Sequence, residues 1–132
     1  MGNSSKVVRW GIAGLGWAAA DFVAPGMVKS PGSQIVACLG STPEKGRAFA
    51  EKFGGPRVHE SLESFMNDPD MDAVYIALPN AMHHEAVLAA ARAKKHILCE
   101  KPFAMKVAHA REMVDACSKA GVILRIAHQI RM

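Results

Sequence analysis

Gly11-Ile12-Ala13-Gly14-Leu15-Gly16-Trp17-Ala18-Ala19 is the stretch that decides the fold of this chain. It is entered from a short apolar run, Val7 to Ala13, and it leads into an alanine-rich segment, Ala18 to Lys29. An apolar run of that length, bounded by glycine, reads as a parallel strand buried on both faces. The alanine-rich segment reads as a helix, and Pro25 inside it predicts a kink, or a regular part confined to the first turns. Between the two lies Gly14-x-Gly16-x-x-Ala19. There Gly14 permits a tight turn, Gly16 leaves the backbone open to a pyrophosphate, and Ala19 lets the helix pack close to the strand. The amides that open the helix then face the anion.

The same alternation of strand and helix continues outward from that unit. Gln34 to Leu39 is a second strand. Thr42-Pro43-Glu44 starts a helix with a capping hydroxyl, a proline at the first position and an acid in the first turn, and the helix runs to about Phe53. Arg57 to His59 is a brief strand, Ser61 to Asn67 a short helix, and Asp72 to Leu78 a strong strand ended by Pro79-Asn80. A helix over Met82 to Lys94, a strand over His96 to Cys99, a loop at Glu100-Lys101-Pro102, a helix over Val107 to Ala120 and a strand over Val122 to Ala127 complete the pattern. Six strands separated by helices predict an α/β fold of the Rossmann type. Its doubly wound, mainly parallel six-stranded sheet has helices on both faces and strand order 3-2-1-4-5-6, in a single domain over residues 1–132.

Composition removes several classes of function. The 132 residues are 50% hydrophobic and 21% charged, which suits a soluble globular core and argues against disorder. Sixteen Lys and Arg against twelve Asp and Glu give a net charge of +4, but the positive residues are scattered. Without a basic face or a docking module, nucleic acid is not an expected partner. No apolar run is long enough to span a membrane and the N-terminus lacks a signal-peptide core, so neither membrane insertion nor secretion is expected. Three cysteines, Cys38, Cys99 and Cys117, cannot all pair, and a reduced, cytoplasmic set is the economical reading.

An absence then bears on the ligand. A site for NAD places Asp or Glu about twenty residues after the glycines, where it binds the ribose 2′-hydroxyl. Between Asp21 and Glu44 this chain has no acid. The second strand ends in Gly40-Ser41-Thr42, with Lys45 and Arg47 just beyond. Hydroxyls, helix-start amides and a nearby cation suit a 2′-phosphate, so NADP(H) is favoured over NAD(H). The bland alternative, in which Thr42 only caps the helix and Lys45 is solvated, is compatible with the same pattern.

Downstream, His96-Ile97-Leu98-Cys99-Glu100-Lys101-Pro102 puts a lysine at the C-terminal end of a strand, where open α/β sheets bind ligands. From there an ammonium can donate a proton to a substrate oxygen. The glycine motif, Asp70-Met71-Asp72-Ala73-Val74-Tyr75-Ile76-Ala77, Pro79-Asn80-Ala81-Met82-His83 and Glu100-Lys101-Pro102 together resemble the glucose-fructose oxidoreductase/inositol dehydrogenase/rhizopine-catabolism (Gfo/Idh/MocA) family, from Val8 to about Arg131. Within it, Gly40 to Gly46 is similar to the matching stretch of NADPH-using 1,5-anhydro-D-fructose reductases. The resemblance implies that Gly14, Leu15, Gly16, Trp17, Ala18 and Ala19 form the pyrophosphate cradle and that Ser41, Thr42 and Lys45 meet the adenosine end. It also implies that Leu78, Pro79, Asn80 and His83 border the nicotinamide, and that Glu100 and Lys101 contact the cofactor and carry the catalytic role. Leu78 departs from the threonine that many members have, which leaves that position an apolar or backbone contact.

Other candidates carry less. His83, His84, His96 and Cys99 fall on different elements without ligand spacing, so no metal site is expected. Cys38 and Cys99 read as small core residues. His109 and His128 read as structural, Met82, Met105 and Met113 as packing, and Trp17 as packing with a possible shielding of the pyrophosphate. Members of the resembled family continue beyond the sixth strand into a substrate-binding and oligomerising domain, and the expectation is that this domain is absent here. The chain then reads as a cofactor-binding module with little turnover. The alternative is an oxidoreductase, transferring hydride between nicotinamide and a sugar or polyol, whose site is completed by self-association or by another chain. A homodimer is expected, because uncovered apolar surface finds a partner.

Overall fold

The computed structural model describes residues 6–127. Six strands, β1 (Val8–Ala13), β2 (Ser33–Leu39), β3 (Arg57–His59), β4 (Ala73–Ile76), β5 (His96–Glu100) and β6 (Leu124–Ala127), form one sheet in the order β3-β2-β1-β4-β5-β6. Every pairing is parallel. Fold class and strand order are those read from the sequence. The order reverses between β1 and β4, and beyond the carboxyl ends of these two strands a parallel sheet leaves an open crevice.

Five α-helices cover the sheet: α1 (Ala24–Lys29), α2 (Pro43–Lys52), α3 (Leu62–Met66), α4 (His83–Arg92) and α5 (Val107–Ala120). Alternation along the strands sorts the core into two layers. Ile12, Ile35, Cys38 and Tyr75 point to the side of Phe49 and Phe53 of α2 and Ala24 and Met27 of α1. Ala13, Leu39, Val74, Ile76, Ile97 and Cys99 point the other way, to α3, α4 and α5. Val74, Tyr75 and Ile76 are all fully buried, as expected of a strand sandwiched between helix layers.

Pro25 does not confine regularity to the turns before it. The chain makes a π-helical turn over Ala19–Val23, in which the Ala24 amide donates to the Ala19 carbonyl, and the regular α turns follow, with Pro25 at their start. Proline has no amide to donate and its ring collides with the carbonyl four residues back. A widened turn ahead of it avoids both conflicts.

At the opposite end of the sheet a charged network seats the loop that leads into β4. The Asp68 side chain is fully buried and accepts from Arg57 at 2.7 Å and from the Asp70 amide at 2.9 Å, with His59 Nε2 at 2.8 Å. Burial alone would raise its carboxyl, but the bonds from His59, Asp70 and Arg57 outweigh that and hold it below the usual range. Buried Lys95 donates to the carbonyls of Asp68 and Met71, at 2.7 and 2.8 Å. Asp72, expected to begin β4, lies one residue before it; its side chain pairs with Arg9 at 3.0 Å and its amide donates to the Arg9 carbonyl at 2.7 Å. No helix among the described residues is long and apolar enough to cross a membrane.

Candidate functional site

The site begins where β1 runs out. Gly14 has φ 97°, and its amide donates to Leu39 at the end of β2 at 2.9 Å. A Cβ there would lie 2.4 Å from the Ala77 carbonyl oxygen and 2.8 Å from the Leu78 amide nitrogen, backbone atoms just beyond β4. Both the sign of φ and the lack of room require glycine. Gly16 differs: a Cβ built on it meets no protein atom within 4 Å. The fold therefore leaves the space over Gly16 open, as a bound pyrophosphate requires. Ala19 is buried against the layer of Ile12 and Tyr75, so the small residue does bring the helix close to the sheet.

A cleft of about 570 Å³ extends from this loop across the ends of β1, β2 and β4. Gly14, Leu15, Gly16, Ser41, Lys45, Leu78 and Pro79, seven of the residues expected at the cofactor, line it. The donor set fits an anion. Ser41 and Lys45 are exposed at the β2 end, and the Lys45 ammonium has no partner among the described residues. Thr42 caps α2, its Oγ1 accepting from the Lys45 amide at 3.2 Å, and is not part of the cleft wall. Its hydroxyl proton remains available to an acceptor.

Trp17, Ala18 and Asn80 do not line the cleft either. Trp17 is 71% exposed and meets Phe22 edge to face, with ring centroids 4.9 Å apart. The π turn, wider than an α turn, brings residues five apart onto one side of the helix. Trp17, read as packing, packs on Phe22 in an exposed aromatic pair beside the glycine loop. Met82 and Met105 are likewise exposed, whereas Met113 is fully buried.

The sequence reading missed Glu60, Leu62 and Met82 as members of this wall. Strand order offers the signal: β3 neighbours β2, so residues just after His59 must reach the adenosine end. Glu60, just after β3, supplies an acid to the cleft, and β2 supplies none.

The strand end at Lys101 is tied from two sides. Glu100 closes β5, and its Oε2 accepts from the Tyr75 hydroxyl at 2.5 Å. Burial, reinforced by this bond, pushes the Tyr75 phenol above its ordinary value. His83 is 1% exposed and opens α4. Its Nδ1 lies 2.8 Å from the Pro102 carbonyl oxygen and its Nε2 2.9 Å from that of Leu78, so either tautomer finds an acceptor. Lys101 itself is exposed, and its ammonium has no partner among the described residues. Burial pushes the Cys99 thiol up to about 12 and the Cys38 thiol up to about 11, so both are inert core groups. His109 stacks on His84 with centroids 3.9 Å apart, while His128 lies outside the described residues.

Comparison with known proteins places this geometry. The chain is 42% identical to a 1,5-anhydro-D-fructose reductase of Ensifer adhaerens over 123 residues, which make up 93% of this chain and 37% of that protein. A 3-ketoreductase from Actinomadura kijaniata, solved with TDP-benzene and NADP, superposes with a TM-score of 0.86 at 29% identity, covering 92% of this chain and 38% of that one. A biliverdin reductase from Synechocystis, solved with biliverdin and NADP+, superposes with a TM-score of 0.85 at 33% identity, again over 92% of this chain and 38% of the other. The chain thus spans little more than a third of the length of the relatives it matches. A family model, an oxidoreductase family with an NAD-binding Rossmann fold, matches residues 8–128. With the glycine loop, the crevice at the β1/β4 reversal and the strand-end lysine in place, this chain belongs to the Gfo/Idh/MocA oxidoreductase family and is its N-terminal, dinucleotide-binding Rossmann unit.

Proposed function

We propose that the chain binds NADP(H) in preference to NAD(H), as the cofactor-holding part of an oxidoreductase acting on the carbonyl or hydroxyl group of a sugar or polyol. The observation that carries this is the β2 end of the cleft, where Ser41 and Lys45 are exposed and no acid stands on β2. The NADP in two of the similar structures supports the same reading. Gly14, Leu15 and Gly16 hold the pyrophosphate, Ser41, Lys45 and the Thr42 hydroxyl take the 2′-phosphate, and Leu78 and Pro79 flank the nicotinamide side. When bound, nicotinamide supplies or accepts a hydride.

Chemistry by the chain itself centres on Lys101. Its Nζ donates a proton to the substrate oxygen as a carbonyl becomes a hydroxyl, and takes it back in the reverse direction. Glu100 contributes a fixed negative charge beside it. Two titrations of the chain by calorimetry, one with NADPH and one with NADH, test the proposal. Binding of NADPH at least several-fold tighter supports it, and equal affinities or tighter NADH binding refute it.

A further inference from the structure

Lys101 has no side-chain partner among the described residues, yet the residues on either side of it are held by two buried rings. Tyr75 belongs to the layer of α1 and α2, and from that face of the sheet its hydroxyl reaches Glu100. His83 sits at the start of α4, the helix packed on the opposite face, and reaches the carbonyl of Pro102 from there. The other nitrogen of His83 lies 2.9 Å from the carbonyl oxygen of Leu78, on the connection that leaves β4 and flanks the cleft. Both rings are nearly inaccessible, Tyr75 at 0% and His83 at 1%, so neither reads as a ligand contact.

We propose that Tyr75 and His83 are positioning residues that clamp the Glu100–Pro102 strand end from opposite faces of the sheet and so hold Lys101 out into the crevice. The physical case rests on what a strand end lacks. Among the described residues β6 pairs with β5 as far as Glu100, matched to Ala127, and β5 ends at that residue, so Lys101 lies outside the strand. A loop in that position, with a long and entropically costly lysine, samples many directions unless side chains fix its backbone. A phenol donating to a carboxylate is one of the stronger hydrogen bonds available, and its donor cannot move because the ring is packed on all sides. The histidine adds a second tether, in the tautomer whose Nδ1–H donates to the Pro102 carbonyl of the loop after β5. The assignment of Lys101 as the proton donor rests on the proposed function. The clamp does not depend on it.

Amide relaxation by NMR on the unliganded chain separates the two. In the parent chain the Lys101 amide is expected to be as ordered as the strands, with an order parameter near about 0.85. Tyr75→Phe keeps the ring and removes the bond, and the order parameter at Lys101 should fall below about 0.6 while α2 and β3 stay unchanged. Glu100→Gln, which still offers the phenol an acceptor, should keep Lys101 ordered, and Glu100→Ala should not. His83→Gln retains one donor and should preserve more order than His83→Phe. If His83→Phe fails to fold, the Tyr75 and Glu100 variants decide the matter alone. A second readout uses NADPH and 2′-phospho-ADP-ribose, which lacks the nicotinamide. Tyr75→Phe should lower the emission of bound NADPH by about half while the affinity for the fragment stays within about twofold. Unchanged order at Lys101, or a loss shared equally by α2 and β3, overturns the clamp. A parent chain that binds neither probe overturns the cofactor reading, and the relaxation data still decide the clamp.

Discussion

Replacing Glu60 by glutamine removes the acid that shares the cofactor cleft with Ser41 and Lys45, at almost no change in side-chain volume. Glu60 and Lys45 line the same cleft, and a separation of about 8 Å between Glu60 and a 2′-phosphate serves to size the effect. At the dielectric of water, two unit charges that far apart repel by about 0.5 kcal/mol, and a phosphate dianion doubles this to about 1 kcal/mol. Screening at physiological salt, with a Debye length of about 8 Å, removes a large part of it. Glu60→Gln should therefore tighten NADPH by about fivefold at low salt and about twofold at 0.15 M, with NADH changed little. Lys45→Ala acts in the opposite sense. An exposed ammonium paired with phosphate contributes about 1 kcal/mol, so its loss should weaken NADPH by about fivefold and narrow the gap to NADH. Ser41→Asp should reverse the preference by placing a carboxylate at the ribose. Calorimetry at the two salt concentrations measures all of these. If Glu60→Gln weakens NADH, Glu60 is itself the acid that binds the ribose hydroxyls, and the argument from the acid-free end of β2 fails.

Four more expectations follow from particular residues. Gly14→Ala should cost at least about 2 kcal/mol of stability, read as a lowered denaturation midpoint, because a Cβ there runs into the backbone at Ala77. Gly16→Ala, whose Cβ meets nothing, should leave the midpoint within about 0.5 kcal/mol and still reduce cofactor affinity. Asp68, with its carboxyl held low in the fold, contributes stability that is present above its unfolded value near about 3.9 and is lost as pH falls through that value towards the folded one. The Asp68→Asn chain should accordingly show a flatter fall of melting temperature below about pH 4.5, and a fall identical to that of the parent would refute the assignment. Exposed Val107, Val114 and Ile123, with β6 ending the sheet, lead to an expected homodimer; a monomer mass by light scattering at high micromolar concentration would refute it.

The fold was legible because its signals are periodic and local. Glycine at 14 and 16, the Thr42-Pro43-Glu44 helix start and the uninterrupted apolar run at Val74 to Ile76 each permit one kind of element, and together they leave one strand order. Boundaries moved by a residue or two: β4 starts at Ala73 and ends at Ile76, and Glu100 extends β5 by pairing with Ala127. The widened turn before Pro25 was not legible, since an α kink and a π turn answer the same steric conflict. Of the site, the glycine loop and β2 end were readable from spacing. Glu60 was not, because nothing in its own neighbourhood marks it, and only adjacency of β3 to β2 brings it in. Tyr75 was hidden for a related reason: in a strand buried on both faces, composition does not say which residue reaches out along the neighbouring strand.

Gly46 lies one turn into α2, and a Cβ on it would sit 2.5 Å from a methyl carbon of Val58. The Cys38 thiol lies beneath the same point, 3.7 Å from the Gly46 carbonyl oxygen. Helix and sheet are in hard contact there, so Val58 acts as a fulcrum for α2. A side chain at 46 must displace Val58 or shift α2, whose first turn carries Lys45 and is capped by Thr42. Under the proposed cofactor preference, a change at that position would retune the cofactor loop while every residue of the loop stays the same.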